Sequence, residues 1–181
     1  NGMRNNTAYN FRFDAIRFAF KTAAVIESFH RCRADWLVWC DADIFFHSDV
    51  SHEFLGSLVH PETEIAWLER KALYPECGIY FVRVGSPKCR QIMDQWRGLL
   101  ETDEIFRLAE WHDSFVFEHV VRKSGAIITS LSGDAENTSH PAVCGPLGVV
   151  LDHLKGPRKF NGRTPQRERK VRDNHPYWNE K

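Results

Sequence analysis

Asp41 and Asp43 are the residues whose type and spacing speak most directly of chemistry in this chain. They follow a short apolar run, Leu37 to Cys40, whose aromatic and β-branched character predicts a strand buried on both faces of a mainly parallel sheet. Two residues one apart on an extended chain project to the same side. At the carboxyl end of a strand they point into the crevice where α/β folds bind ligands. Carboxylates held that close repel each other unless a cation neutralises them, and hard divalent ions such as Mg²⁺ or Mn²⁺ prefer oxygen ligands. The pair therefore predicts a metal site for a phosphate-bearing substrate. A bare Asp-x-Asp is common by chance and is more often a turn, with one Asp capping the next element and the other solvated. The apolar triplet Ile44, Phe45 and Phe46 that follows favours the metal reading.

Two cationic positions stand just upstream. Arg17 and Lys21 are four residues apart and share a face of any helix that contains them, so they can present two charges to one anion or form a solvated face. Further along, Asp113 opens a helical pattern, where it serves either as a cap or as a site carboxylate.

These residues need elements to hold them. From about Tyr9 to Phe29, apolar residues recur at helical spacings and predict a helix of about five turns. After the Asp41/Asp43 strand, Ser48 or Asp49 predicts a helix start with Phe54, Leu55 and Leu58 inward. Glu64 to Leu68 and Ile79 to Val84 read as strands. Ser86 and Pro87 open a helix through Ile92, Met93, Trp96 and Leu99. A helix from about Asp113 to Lys123 is closed by Gly125, Ala126 to Leu131 is a third clear strand, Ser132 to Pro141 a polar loop, and Leu147 to Leu151 a last strand. Strands alternating with helices predict a three-layer α/β/α sandwich with a mixed, mostly parallel sheet.

Length and composition bound the possibilities. The chain has 181 residues and is 43% hydrophobic, enough for one globular domain with a sizeable core. Net charge is zero, but nine Lys/Arg stand against three Asp/Glu from Lys155 onward. An acidic body thus carries a basic C-terminal tail, predicted to be extended or partly disordered, and the division expected is residues 1–160 for the folded part and 161–181 for the tail. No apolar run approaches the ~18 residues of a membrane span and no signal peptide is evident, which predicts a cytoplasmic protein. Five cysteines, odd in number and without CxxC, indicate free thiols rather than a disulfide framework or zinc site.

With these elements in place the chain resembles a family. Asp41-Ala42-Asp43 after an apolar strand, with a basic helix before it, is similar to the metal-binding DxD of GT-A-fold glycosyltransferases. His153-Leu154-Lys155-Gly156-Pro157-Arg158-Lys159 resembles the HxxGxxK portion of the HxxGxxKPW pattern of the glycogenin and lipopolysaccharide galactosyltransferase-like group; Phe160-Asn161 stands where that pattern has Pro-Trp. The resemblance implies a hexosyltransferase that moves a sugar from a nucleoside-diphosphate sugar to an acceptor hydroxyl of a glycan, glycolipid or protein. It implies Asp41, Asp43 and His153 as ligands of Mn²⁺ or Mg²⁺, with Asp41 also facing the donor's diphosphate. It implies Lys159 on the departing diphosphate, Gly156 as a point of close backbone approach, and Arg12, Arg17 and Lys21 toward diphosphate or sugar. Asp113 falls where such enzymes place an acidic residue near the acceptor, as general base in inverting enzymes or as a positioning group in retaining ones. Glu76-Cys77-Gly78 resembles the loop before a Gly-led strand lining the sugar pocket. GT-A domains also begin with a strand, helix and strand that hold the nucleoside base, whereas this chain starts near the following helix, so a partial domain or a reduced one is expected.

Two other readings compete. Haloacid dehalogenase-like phosphoryl transfer would use Asp41 as nucleophile, but Ile44 and the absence of a later Asp-Asp pair weigh against it. A non-catalytic nucleotide- or nucleic-acid-binding domain would use the basic tail, Arg163 to Arg172, against which the neutral overall charge counts.

Overall fold

The computed structural model describes residues 9–169 and 176–179. The predicted irregular start, Asn1 to Ala8, and the tail residues Lys170 to His175, Glu180 and Lys181 lie outside them. Among the described residues six strands run in chain order: β1 Trp36–Cys40, β2 Ile44–Phe46, β3 Ile65–Leu68, β4 Glu76–Arg83, β5 Ile128–Ser130 and β6 Leu151–His153. The α-helices that accompany them are α1 Ala15–Arg31, α2 His52–Ser57, α3 Pro87–Glu101, α4 Asp113–Ser124, α5 Pro141–Cys144, α6 Arg158–Asn161 and α7 Pro176–Asn179.

The helix boundaries follow from local chemistry. Asp14 ends a short 3₁₀ turn, Phe11–Phe13, and caps α1, its carboxylate accepting from Arg17 N. The helix predicted from Tyr9 is therefore broken at Asp14. Thr22, Val25, Ile26 and Phe29 form the buried stripe of α1. Ser86 Oγ accepts from Cys89 N, and Pro87 supplies the first residue of α3 without needing a donor. Gly125, at φ 67°, closes α4 in the left-handed region where only glycine is unstrained.

The larger sheet has order β1-β4-β3-β5 and is mixed. Parallel pairing is confined to β3 with β5, while β4 is antiparallel to both β1 and β3. The expected preponderance of parallel pairs fails for a simple reason: β3 and β4 are joined by residues 69–75 with no crossover helix, and a direct return places strands antiparallel. Strand β1 is an edge of this sheet among the described residues, half-buried with Val38 exposed, rather than buried on both faces. Alternation along β3 and β4 then builds two cores. Ile65, Trp67, Tyr80 and Val82 meet α1, α3 and α4 on one face, with Phe117 packed between Trp96 and Tyr80. Ala66, Leu68, Ile79 and Phe81 meet α2, α5 and the second sheet on the other. At about 1.5–3 kcal/mol for each large apolar side chain, these two faces are what hold the three layers together.

A second sheet pairs β2 with β6 antiparallel, Ile44 opposite His153. The last strand was expected at Leu147 to Leu151. Pro146 instead opens a 3₁₀ turn over Pro146–Val149, and the strand is displaced to Leu151–His153. The described part of the basic tail is folded back on this sheet. Buried Asp152 accepts from Thr164 N (2.8 Å), Thr164 Oγ1 (2.5 Å) and Tyr177 Oη (2.7 Å), while Tyr177 stacks on His47 and Trp178 is buried. Arg163 lies over the Tyr177 ring and Arg169 donates to Trp178 O, so these tail cations face inward.

Candidate active site

The chain reverses immediately after β1. Ile44 N donates to Asp41 O at 3.0 Å, closing a turn over Asp41-Ala42-Asp43, and Asp41 N is anchored on Gly78 O. The extended geometry predicted for the two aspartates is therefore absent, and their carboxylates take different partners. The turn feeds β2, whose pairing with β6 sets His153 across from Ile44, and Leu154 N donates to Asp43 O at 2.8 Å. Asp43 and His153, 110 positions apart in sequence, meet because a three-residue ladder follows one and ends in the other.

Asp41 belongs to a network with α1 and α4. Its Oδ1 accepts from Trp39 Nε1 (2.8 Å) and pairs with Lys21 Nζ (2.7 Å). The same ammonium lies 2.6 Å from Asp113 Oδ2 and donates to Cys77 O at 2.6 Å. Burial disfavours the Lys21 charge, but Asp113 and Asp41 outweigh it and hold its pKa above the ordinary value. Lys21 thus bridges two carboxylates. Asp113 is the first residue of α4 and nearly buried, with His112, itself buried, before it.

Asp43 forms the second half. Its Oδ1 is 3.3 Å from His153 Nε2 and its Oδ2 is 3.1 Å from Lys159 Nζ. Burial works against its ionisation, yet Lys159 and His153 bring the pKa below the usual value. Lys159 stands on α6, which follows a turn at Gly156, where φ is 62°. A side chain there would be strained by the backbone conformation, though a Cβ would meet nothing within 4 Å.

Beneath Asp43 lies a buried layer. Glu76 Oε1 is 2.9 Å from His153 Nδ1, and His140 packs beside the His153 ring at 5.6 Å between centroids. Burial would raise the Glu76 pKa, but His153 brings it down to about 2. Burial, reinforced by Arg158, lowers that of His140 to about 4, so His140 is neutral near pH 7. Gly78 leaves room for His153, since a Cβ there would fall 2.7 Å from Cε1.

A cavity of about 710 Å³ opens over these groups. Arg17, Lys21, Asp41, Asp43, Asp113, Gly156 and Lys159 all line it, so seven of the sequence-predicted residues converge. His153 lies under the wall rather than in it, 2% exposed. Arg12 is not brought in: its guanidinium pairs with Glu110 at 3.2 Å and lines a neighbouring cavity. Tyr74, Arg70, Lys155 and the aromatic wall of Phe11 and Phe18 were not foreseen. Glu76 and Gly78 carried a signal, since two residues apart on a strand share one face, but the expected loop is the start of β4. His140, inside a segment read as polar loop, carried none.

Asp43 and His153 fit a divalent cation. A carboxylate oxygen and an imidazole nitrogen face each other at 3.3 Å, the carboxylate on a polar cavity lining that continues to Asp41 and the imidazole beneath it. Among the described residues, however, the group of three donors within 4.8 Å of one another is Glu76, His140 and His153; the two aspartates do not join it. No described helix is long and apolar enough to cross a membrane.

No family model matches the chain and no curated protein matches it. Among solved structures it is similar to the "crystal structure of a glycosyltransferase involved in the glycosylation of the major capsid of PBCV-1", with a TM-score of 0.53 and 13% identity over 86% of this chain and 78% of that one. At that identity the likeness concerns the fold. The chain has a glycosyltransferase-like α/β fold, a mixed sheet between helices with the polar cavity where β1 ends.

Proposed function

We propose that the protein is a metal-dependent glycosyltransferase of the GT-A type, moving a hexose from a nucleoside-diphosphate sugar to an acceptor hydroxyl. The observation that carries this reading is the convergence of Asp41, Asp43, Asp113, Gly156 and Lys159 on one cavity, with His153 directly beneath, in a fold shared with a glycosyltransferase. Asp43, His153 and Asp41 would hold Mn²⁺ or Mg²⁺. Bound there, the ion supplies positive charge against the negative charge that develops on the diphosphate as the anomeric C–O bond breaks.

The chain's own residues do the rest. Lys159, exposed and paired with Asp43, swings its ammonium onto the leaving diphosphate. The positive φ of Gly156 turns the backbone so that α6 and Lys159 stand at the cavity. Arg17 adds a second cation on the α1 side. Asp113, held in place by the Lys21 ammonium at 2.6 Å, orients the donor sugar or acceptor. The partners are a nucleotide-sugar donor and a glycan, glycolipid or protein acceptor.

A panel of nucleoside-diphosphate sugars incubated with the protein, with Mn²⁺ or with EDTA, tests the reading through release of nucleoside diphosphate. Metal-dependent release with at least one donor is expected. Turnover of phosphomonoesters with no action on any sugar nucleotide would move the assignment to phosphoryl transfer through Asp41.

A further inference from the structure

His153 has carboxylates at both ring nitrogens: Asp43 Oδ1 at 3.3 Å from Nε2 and Glu76 Oε1 at 2.9 Å from Nδ1. The ring is 2% exposed and Glu76 4%. A bare lone pair facing a carboxylate oxygen is repulsive, more so at the shorter and drier contact to Glu76 than at Asp43, which is 20% exposed and paired with Lys159, so the single proton of a neutral ring belongs on Nδ1. The contact is out of line for a hydrogen bond, which leaves Nδ1 a buried donor with its nearest acceptor off axis.

The other neighbour of Glu76 cannot supply that proton. Thr164 Oγ1 gives its single hydrogen to Asp152 Oδ1 at 2.5 Å, and therefore accepts from His140 Nε2 at 3.3 Å. The proton of neutral His140 is thus committed to Thr164, and its remaining nitrogen bears a lone pair. Besides His153, the Lys155 ammonium faces Glu76, but at 3.9 Å. Strand β4 enforces the arrangement, because Glu76 and Gly78 fall on one face and the missing side chain at 78 lets the ring sit against the strand.

We propose that Glu76 is the positioning residue for His153, keeping the proton on Nδ1 so that Nε2 presents its lone pair on the side of Asp43. The inference rests on the reading of His153 as a cation ligand and gives a role to a residue that the motif resemblance left in the sugar pocket. A carboxylate behind a ligating imidazole fixes its tautomer and raises its basicity.

The test uses the whole chain with ¹⁵N-labelled histidine, metal-free, at a pH where the imidazoles are neutral, His153 being assigned by its loss in His153→Ala. Protonated Nδ1 and bare Nε2 are expected; the reverse tautomer overturns the proposal without need of any Glu76 variant. In calorimetry with Mn²⁺ alone, Glu76→Met, of matching length but with no acceptor, is expected to weaken binding by about 10–100-fold, whereas Glu76→Gln, which keeps an acceptor oxygen, restores most of it. Equal affinities for all three contradict a positioning role. If His140→Phe abolishes binding while Asp43→Ala leaves it, the cation sits among Glu76, His140 and His153 and the proposal falls. Should wild-type protein bind no Mn²⁺ even with nucleoside diphosphate present, the glycosyltransferase reading fails, and the tautomer measurement still decides the role of Glu76.

Discussion

Lys21 shows how a side chain expected at the site can take partners there that its spacing does not encode. Its sequence position marks it as a cation beside the site, and it is one, but its ammonium is spent on Asp41, Asp113 and Cys77 O rather than offered to a ligand. Lys21→Met leaves two carboxylates facing each other with no cation, and is expected to destabilise the fold by about 3 kcal/mol in urea titration. Adding Asp113→Asn removes one of the charges and should recover about 1 kcal/mol or more; strict additivity of the two substitutions would mean that Lys21 does not bridge them. The carboxylates themselves were legible as site residues, because Asp41, Asp43 and Asp113 all line the cavity, although a turn replaces the same-side geometry expected of Asp41 and Asp43. What was not legible is pairing. Which carboxylate meets which cation depends on the turn closed by Ile44 N and Asp41 O, and no one-dimensional spacing encodes that.

At the scale of elements, the strands and helices that carry the site were readable because their apolar periodicity is strong: β1, β3, β4, β5, α1, α3 and α4 all lie close to their expected places. The exceptions are short. Strand β6 has three residues, follows a proline turn, and gains its identity only by pairing with β2. The direction of the sheet was misread for a related reason, since parallel or antiparallel pairing depends on how long connections return. Strand β4 supplies the sharpest prediction at this scale. In Gly78→Ala the new Cβ would lie 2.7 Å from His153 Cε1 and within 3.3 Å of both ring nitrogens, so the ring must shift. Mn²⁺ affinity is expected to fall about tenfold or more, the scale seen when groups supporting a ligand are disturbed. Unchanged affinity with intact secondary structure would show that the His153 position does not matter for the cation.

For the whole molecule, buried titratable groups under the cavity tie stability to pH. His140 has its folded pKa lowered from 6.5 to about 4 and Glu76 from 4.5 to about 2. In both cases the unfolded chain takes up a proton before the folded one does, so stability is full above the unfolded value and is lost as pH falls toward the folded value. His140 therefore acts between 6.5 and 4, and Glu76 below 4.5. Denaturant titrations at pH 7 and pH 5 should show a loss on the order of 1–2 kcal/mol from His140 alone, reduced in His140→Asn. A pH-independent midpoint over that interval would contradict a buried neutral His140. The same layer joins the C-terminal segment to the site through Thr164, which holds both Asp152 and His140, so part of the segment expected to be extended is a buttress behind His153.

The central claim is that the cavity at the end of β1 holds a sugar nucleotide through a cation on Asp43. Calorimetric titration of nucleoside-diphosphate sugars, with and without Mn²⁺, into wild-type and Asp43→Ala protein tests it most directly. The account predicts binding of at least one donor in the presence of Mn²⁺, lost when the ion is withheld and lost in Asp43→Ala. Donor binding that is the same with and without Mn²⁺, or unchanged in Asp43→Ala, would contradict it.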